Sequence, residues 1–97
     1  MKIIANICLV PIGVGVSLSP YIRVAYETLK KSGLKCTLGA YGTIIEGEYD
    51  EVSKAIKSAM EAVHAEGVPR ITMTIKMGSR TDKEQTAGDK VDSLLNF

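Results

Sequence analysis

The sequence predicts an α+β domain in which two helices cover one face of a four-stranded antiparallel sheet. Four segments are apolar or alternate with period two, as strands do, and two longer segments place apolar residues at helical spacing. Their order is β-α-β-β-α-β, followed by one further helix. Because β-α-β crossovers are right-handed, this order places both helices on the same face of the sheet. The 97 residues suit one domain, 1–97, with one core.

The first strand and helix are predicted from the N-terminal third of the chain. Lys2–Val10 is apolar on both faces, which indicates a central strand, and Pro11 is expected to end it. Ser19-Pro20 predicts a helix start, with Ser19 as the N-cap and Pro20 in the first turn. Gly33 provides the stop. The predicted buried stripe of this helix consists of Ile22, Ala25, Tyr26 and Leu29.

A β-hairpin and a second helix follow. Leu34–Gly39 and Thr43–Glu48 are separated by a short turn at residues 40–42, which predicts two antiparallel strands. Asp50 is expected to cap the next helix, and Gly67 to end it. Its apolar residues recur at helical spacing: Val52, Ile56, Ala59 and Val63.

The C-terminal third predicts a fourth strand and a last helix. Residues 71–77 alternate between apolar and polar side chains, so one face should be buried and the other polar. Thr81-x-x-Glu84 fits a capping box at the start of the last helix. The complete arrangement is the ferredoxin-like fold, in which the strand order is usually 4-1-3-2.

Composition excludes several classes of function. The chain is 45% apolar and 24% charged, its net charge is +1, and it has one Phe and no Trp. Nucleic acid is therefore not expected as a partner. Cys8 and Cys36 form no C-x-x-C motif, so no metal site is expected, and reduced thiols are favoured although a disulfide stays open. Asn6 interrupts the apolar start, and no window could span a membrane, which favours a cytoplasmic protein.

The segment Tyr41-Gly-Thr-Ile-Ile-Glu-Gly-Glu-Tyr49 places a carboxylate, Glu46, inside an otherwise apolar strand. A charge in a strand is unexpected unless its face is solvated, paired or built to meet a ligand. On the face without helices, strand 1 lies between strands 3 and 4, so we expect Asn6 to lie near both Glu46 of strand 3 and Thr74 or Lys76 of strand 4. A few polar groups within an apolar surface indicate a ligand site or a subunit interface, and we expect both in a dimer or dimer of dimers.

Three segments carry a resemblance to a known family: Pro11-Ile-Gly-Val-Gly-Val-Ser-Leu-Ser-Pro-Tyr21, Gly42-Thr-Ile-Ile-Glu-Gly47 and Arg70-Ile-Thr-Met-Thr-Ile-Lys76. Together they resemble the small thiamine-binding protein family and are similar to the YkoF-type binders of thiamine and its hydroxymethylpyrimidine moiety. The resemblance implies a ferredoxin-like fold, a cytoplasmic tetramer, and binding of a small molecule without catalysis. No cofactor other than the ligand itself is implied.

The resemblance also implies ligand contacts. Thr43 and Glu46 match the hairpin motif, and Asn6 occupies a strand position that is polar in relatives. Glu46 could accept from the amine of an aminopyrimidine, and Tyr41 could lie near a thiazolium cation. With Thr74 and Lys76, these residues form the predicted ligand-binding set. The chain departs from the family after the last strand, where the segment 77–80, Met-Gly-Ser-Arg, replaces an acidic ending.

Other interpretations stay open from the sequence. Glu46 could pair with Lys76 or with a second subunit, and Thr43 and Asn6 could have only structural roles. The Gly13-Val-Gly15 pair lacks a dinucleotide-binding context and is better read as a flexible loop before a helix cap. His64 is expected to be a solvated helix residue, and no nucleophilic catalytic set is visible.

The predicted fold also occurs in proteins with three alternative functions. An amino-acid-binding regulatory module also binds at interfaces, but such modules are usually attached to an enzyme. An acylphosphatase-type enzyme needs an arginine in the loop after strand 1, and residues 11–19 contain none. A structural homo-oligomer with a vestigial pocket is the third alternative.

Overall fold

The computed structural model describes residues 1–96. The elements occur in the predicted order, and the sheet order is β2-β3-β1-β4 with antiparallel pairing throughout. The prediction of a ferredoxin-like α+β fold with an additional C-terminal helix is therefore confirmed. The elements are β1 (Lys2–Ile12), α1 (Ser19–Lys31), β2 (Lys35–Gly39), β3 (Gly42–Glu48), α2 (Tyr49–Ala65), β4 (Arg70–Gly78) and α3 (Ala87–Leu95).

The core lies between the sheet and helices α1 and α2. Ile3, Ala5, Ile7 and Leu9 of β1 all point into it, as the alternation predicts. The predicted stripe of α2 is also correct, since Val52 and Val63 are fully buried against the sheet. Residues of even number on β1, β3 and β4 point to the opposite side, which α1 and α2 leave uncovered and which we call the open face.

Strand β1 does not end at Pro11 as predicted but continues to Ile12 and pairs with β4 along that length. The explanation lies in the neighbouring strand. The pairing of β1 with β3 stops at Ile7 opposite Thr43, one residue from the start of β3 at Gly42. Pro11 has the backbone orientation of Ile7, whose carbonyl oxygen faces Gly42 of β3. The proline nitrogen therefore faces an edge without a partner strand, and no ladder hydrogen bond is lost.

Two predicted helix caps are displaced by one or two residues. Helix α1 starts at Ser19 with Leu18 as its N-cap, and the Leu18 carbonyl accepts from the N–H groups of Tyr21 and Ile22. The prediction that Ser19 is the cap is therefore wrong. Helix α2 starts at Tyr49, so Asp50 lies in the first turn instead of capping it. There its carboxylate still interacts favourably with the helix dipole.

The predicted capping box of the last helix is also misplaced. Helix α3 begins after Thr86, whose hydroxyl accepts from the backbone N–H of Asp89, while the Asp89 carboxylate accepts from the Thr86 N–H. Thr81 lies in the irregular segment before the helix. None of the residues of α3 is buried, and its apolar side chains are exposed: Val91, Leu94 and Leu95.

The two cysteines lie on opposite faces of the sheet. Cys8 belongs to the open face, while Cys36 of β2 packs against the core, and both are free thiols. Burial raises the pKa of the Cys36 thiol. Across residues 1–96, no helix combines the length and the apolar character needed to cross a bilayer.

Candidate functional site

Glu46 lies in the middle of β3 on the open face. Its cross-strand neighbours are Ile4 on β1 and Lys35 on β2. Directly opposite residues have Cβ atoms about 5 Å apart. The carboxylate therefore stands between an aliphatic side chain and a basic one, although no ion pair forms between Glu46 and Lys35 within 4.0 Å.

The two oxygens of the Glu46 carboxylate have different surroundings. Oε1 accepts a hydrogen bond of 3.0 Å from the backbone N–H of Ala87, the first residue of α3. Oε2 is shielded from solvent and has no hydrogen-bond partner among the described residues. Buried polar atoms are nearly always paired, and leaving one unpaired costs about 1–3 kcal/mol. Oε2 is thus an acceptor that lacks a donor.

Glu46 contributes to an open cavity of about 910 Å³, which we call the Glu46 cavity. One wall consists of the start of β1 and the end of β3. The other wall is the segment 78–86 together with Lys90 of α3. The charged residues around the cavity are of both signs. The basic ones are Lys2, Lys35, Arg80, Lys83 and Lys90, and the acidic ones are Glu46, Glu48 and Glu84.

Some of these charges are already paired. Lys2 lies 3.8 Å from Glu84, and the amino group of Met1 lies 2.8 Å from Glu48. The hydrogen bond from that amino group lowers the pKa of the Glu48 carboxyl. Both ion pairs are exposed to solvent, and they leave Glu46 as the carboxylate without an ion-pair partner within the described part of the cavity.

Arg80, in the segment that departs from the family pattern, binds other residues of the same segment. Its guanidinium donates to both carboxylate oxygens of Asp82, at 2.7 and 2.5 Å, and to Gln85 at 3.0 Å. The hydrogen bonds from Arg80 lower the pKa of Asp82 to about 2. These hydrogen bonds fold the segment after β4 back on itself. Gly78, Ser79 and Arg80, in the segment that departs from the family pattern, line the Glu46 cavity.

Four of the six predicted site residues share the open face. Asn6 lies directly opposite Lys76 on β4, and Thr74 lies opposite Cys8 two residues further along. Glu46 is diagonal to Asn6, because Asn6 pairs with Ile44. The predicted polar patch therefore forms on the sheet, but of its members only Glu46 lines the Glu46 cavity.

The other two predicted residues are not brought together with Glu46. Thr43 is 7% exposed and belongs to the helix-covered face, next to Ile7 of the core. Tyr41 is 92% exposed in the turn of the hairpin. Neither side chain can reach the Glu46 oxygens. Thr43 lies on the other face of the sheet, and Tyr41 lies in the turn before β3, five residues from Glu46.

The suggested pairing of Glu46 with Lys76 within one chain is not observed. Lys76 lies two strands away on β4 and in the row of Asn6, while Glu46 lies in the row of Ile4 and Gly78.

His64 is exposed, and its ring Nδ1 donates to the carbonyl of Val68 at 2.8 Å, so the imidazole hydrogen-bonds the chain just after α2. Within residues 1–96, no group of three or more His, Cys, Asp or Glu side chains is placed to hold a metal ion.

Three residues that face or contact the predicted site residues are absent from the predicted set: Lys35, Gly42 and Ala87. Lys35 could have been found, because a two-residue hairpin turn with Gly39 opposite Gly42 fixes Lys35 opposite Glu46. The pairing of β3 with β1 brings Gly42 close to Asn6: a Cβ at Gly42 would come within 2.5 Å of the Asn6 side-chain oxygen. The contact between Ala87 and Glu46 carries no local sequence signal, since it joins elements 41 residues apart.

The fold and the site define a class of protein: a ferredoxin-like domain with an open sheet face and, at one end of it, a cavity surrounded by charged side chains. The sequence model of the thiamine-binding protein family matches residues 5–95, and the chain belongs to this family. The resemblance noted in the three motifs is therefore confirmed.

Similar proteins occur in distant organisms. The chain is 50% identical to the UPF0045 protein sll0230 of Synechocystis sp. over 94 residues, which covers 97% of this chain and 78% of that one. The crystal structure of MJ1052 from Methanocaldococcus jannaschii superimposes with a TM-score of 0.90 at 36% identity, covering 99% and 98% of the two chains. TM0486 of Thermotoga maritima, provisionally named for thiamine biosynthesis or salvage, has a TM-score of 0.84 over 97% and 99% of the chains; at 22% identity it shares the fold.

Proposed function

We propose that this protein is a non-catalytic, cytoplasmic binder of thiamine or of its hydroxymethylpyrimidine moiety, acting as a carrier, buffer or sensor. Membership of the thiamine-binding protein family supports the class of ligand. The observation that carries the proposed site is the Glu46 carboxylate, whose Oε2 is buried beside an open cavity and lacks a hydrogen-bond donor.

The chemistry of the aminopyrimidine fits this acceptor. The ring carries an exocyclic amine, which donates, beside a ring nitrogen, which accepts. A hydrogen bond from the amine to Oε2 would satisfy the unpaired oxygen and would be charge-assisted, which makes it about twice as strong as a neutral one. Ile4, the cross-strand neighbour of Glu46, offers an aliphatic surface for the ring. Thiamine also carries a positive thiazolium, which a carboxylate favours.

The affinity that this site must provide is modest. Micromolar binding corresponds to about 8 kcal/mol. One charge-assisted hydrogen bond supplies about 1.5–3 kcal/mol, and burial of the aromatic ring supplies about 25 cal/mol for each Å² of apolar area. A second subunit that closes the cavity would contribute more of that area.

We propose further that the protein assembles as a homo-oligomer, a dimer of dimers, with the ligand near a subunit interface. The apolar residues of α3 support an interface, since Leu94 and Leu95 are 71% and 75% exposed in the single chain. On the open face, Val10 is 38% exposed. Multi-angle light scattering should give an even-numbered oligomer, and Leu94→Asp should lower its mass. A monomeric wild-type protein would contradict this assembly.

The test of the function is a ligand series monitored by thermal unfolding at fixed protein concentration. The series comprises thiamine, its phosphates, hydroxymethylpyrimidine and a panel of amino acids. A ligand present at about 100 times its Kd adds about 2.7 kcal/mol and should raise the midpoint by several degrees. A shift with thiamine or the pyrimidine supports the proposal. A shift with amino acids alone would favour a regulatory module, and no shift would favour a structural oligomer.

A further inference from the structure

Within the single chain, apart from the subunit interface proposed for Leu94 and Leu95, helix α3 is held to the sheet weakly. None of its residues is buried, and its hydrogen bond to the sheet is the one from the Ala87 N–H to Glu46 Oε1, at 3.0 Å. Segments with few buried apolar contacts open at a low cost in free energy. The helix itself is well formed, because the Thr86–Asp89 capping box satisfies its first turn.

The same contact involves the residue that the ligand is proposed to use. One carboxylate holds α3 through Oε1, while Oε2 is shielded from solvent and unpaired. A ligand donor cannot reach a shielded atom unless a neighbouring group moves away. In the closed arrangement Oε1 has a hydrogen-bond donor, while Oε2 has none and is buried at a cost in free energy. A ligand that donates to Oε2 would recover this free energy and could thereby compete with the contact to Ala87.

We propose that α3 is a gate to the Glu46 cavity and that the hydrogen bond between Ala87 and Glu46 is its latch. The inference rests on the proposed function, because Glu46 is taken as the ligand contact. When the gate opens, Oε2 becomes accessible to the ligand amine, and the ligand selects the open form. The apparent Kd is then the intrinsic Kd divided by the fraction of open molecules, so loosening the latch tightens binding.

One substitution removes the latch with little other change. Ala87 is the first residue of α3, the helical position at which proline is favoured, and proline has no N–H. Thr86 precedes it with φ −92° and ψ 167°, an extended conformation that a following proline accepts. Both hydrogen bonds of the capping box use other atoms. Ala87→Pro should therefore delete the bond to Glu46 and keep the helix, and Ala87→Ser, which retains the N–H, is the matched control.

The experiment is a calorimetric titration of thiamine into the wild type, Ala87→Pro and Ala87→Ser. Ala87→Pro should bind at least threefold more tightly, with Ala87→Ser within a factor of two of the wild type. Unchanged or weaker binding by Ala87→Pro would overturn the gate, as would an equal effect of both variants.

Amide hydrogen exchange keeps the test independent of ligand binding and of any folding defect in the variant. In the ligand-free protein, Ala87→Pro should accelerate exchange in residues 88–95 and leave α2 unchanged, and thiamine should accelerate the same amides in the wild type. If α3 exchanges equally fast in the wild type and in Ala87→Pro, there is no latch. If the latch is present but the wild type binds neither thiamine nor the pyrimidine, the proposed function fails, and with it the role of α3 as a gate to that ligand.

Discussion

Replacement of Glu46 by glutamine is the most informative perturbation of the proposed site. The amide has the shape of the carboxylate, so packing against Ile4 is retained and Oε1 can still accept from the Ala87 N–H. The substitution replaces Oε2 with an NH₂ group. Because this group and the ligand amine are both donors, no hydrogen bond can form between them. We expect Glu46→Gln to weaken binding of thiamine and of hydroxymethylpyrimidine alike.

The magnitude follows from the buried, unpaired state of Oε2. A hydrogen bond to a charged group contributes about 1.5–3 kcal/mol, and each 1.4 kcal/mol is a factor of ten in Kd. The loss should therefore be about 10- to 150-fold. The stability of the ligand-free protein should change by less than about 1 kcal/mol, because relief of the unpaired charge opposes the loss of a favourable charge at the start of α3.

The assay is isothermal titration calorimetry, with unfolding measured on the same samples. Glu61→Gln is the matched control, since Glu61 is exposed on α2 and lies outside the cavity. It should bind like the wild type. If Glu46→Gln binds thiamine as tightly as Glu61→Gln does, then Glu46 is not the ligand contact, and the assignment of the site is refuted.

Two further predictions concern charges around the site, and a third concerns the packing of Cys36 against the core. Lys35→Gln removes a positive charge from the cavity and should tighten the binding of cationic thiamine by about twofold, which is the effect of one unit charge at about 8 Å in water. Neutral hydroxymethylpyrimidine should bind as it does to the wild type. Weaker binding of thiamine would contradict this prediction. The depressed pKa of Asp82, about 2, means that its contribution to stability is complete above its usual pKa near 4 and is lost as the pH falls towards 2. The midpoint of Asp82→Asn should therefore lie below that of the wild type at pH 6 and approach it near pH 2, and a constant difference at both pH values would show that Asp82 does not act through its charge. Because burial raises the pKa of the Cys36 thiol and the thiol packs on the core, iodoacetamide should modify it slowly at pH 8 in the native protein and quickly in denaturant; equal rates in the two conditions would contradict the placement of Cys36.

Much of this fold can be predicted from the sequence, because the hydrophobic periodicity and the glycine and proline residues that end helices are local signals. The alternation in β1 correctly separates core residues such as Ile7 from open-face residues such as Asn6. Pro11 does not end β1, because the cost of a proline in a strand depends on the partner strand, and β3 does not extend as far as Pro11. Local sequence does not contain that information.

The same distinction applies to the candidate site. Thr81-x-x-Glu84 and Thr86-x-x-Asp89 both resemble capping boxes, and the choice between them depends on where the segment after β4 meets the sheet. Thr43 entered the predicted site through the family motif, although the period of the strand places it opposite Glu46, and the structure follows the period. The carboxylate itself was identified correctly as the unusual residue of β3, but its contact with α3 is a tertiary feature.

The most direct test of the proposed site is a structure of the protein in complex with thiamine. The proposed function predicts the pyrimidine amine within hydrogen-bond distance, about 2.7–3.2 Å, of Glu46 Oε2. The proposed gate predicts in addition that the hydrogen bond from the Ala87 N–H to Oε1 is broken in the complex. A ligand found over Asn6, Thr74 and Lys76, or a ligand that leaves Oε2 without a donor, would contradict it.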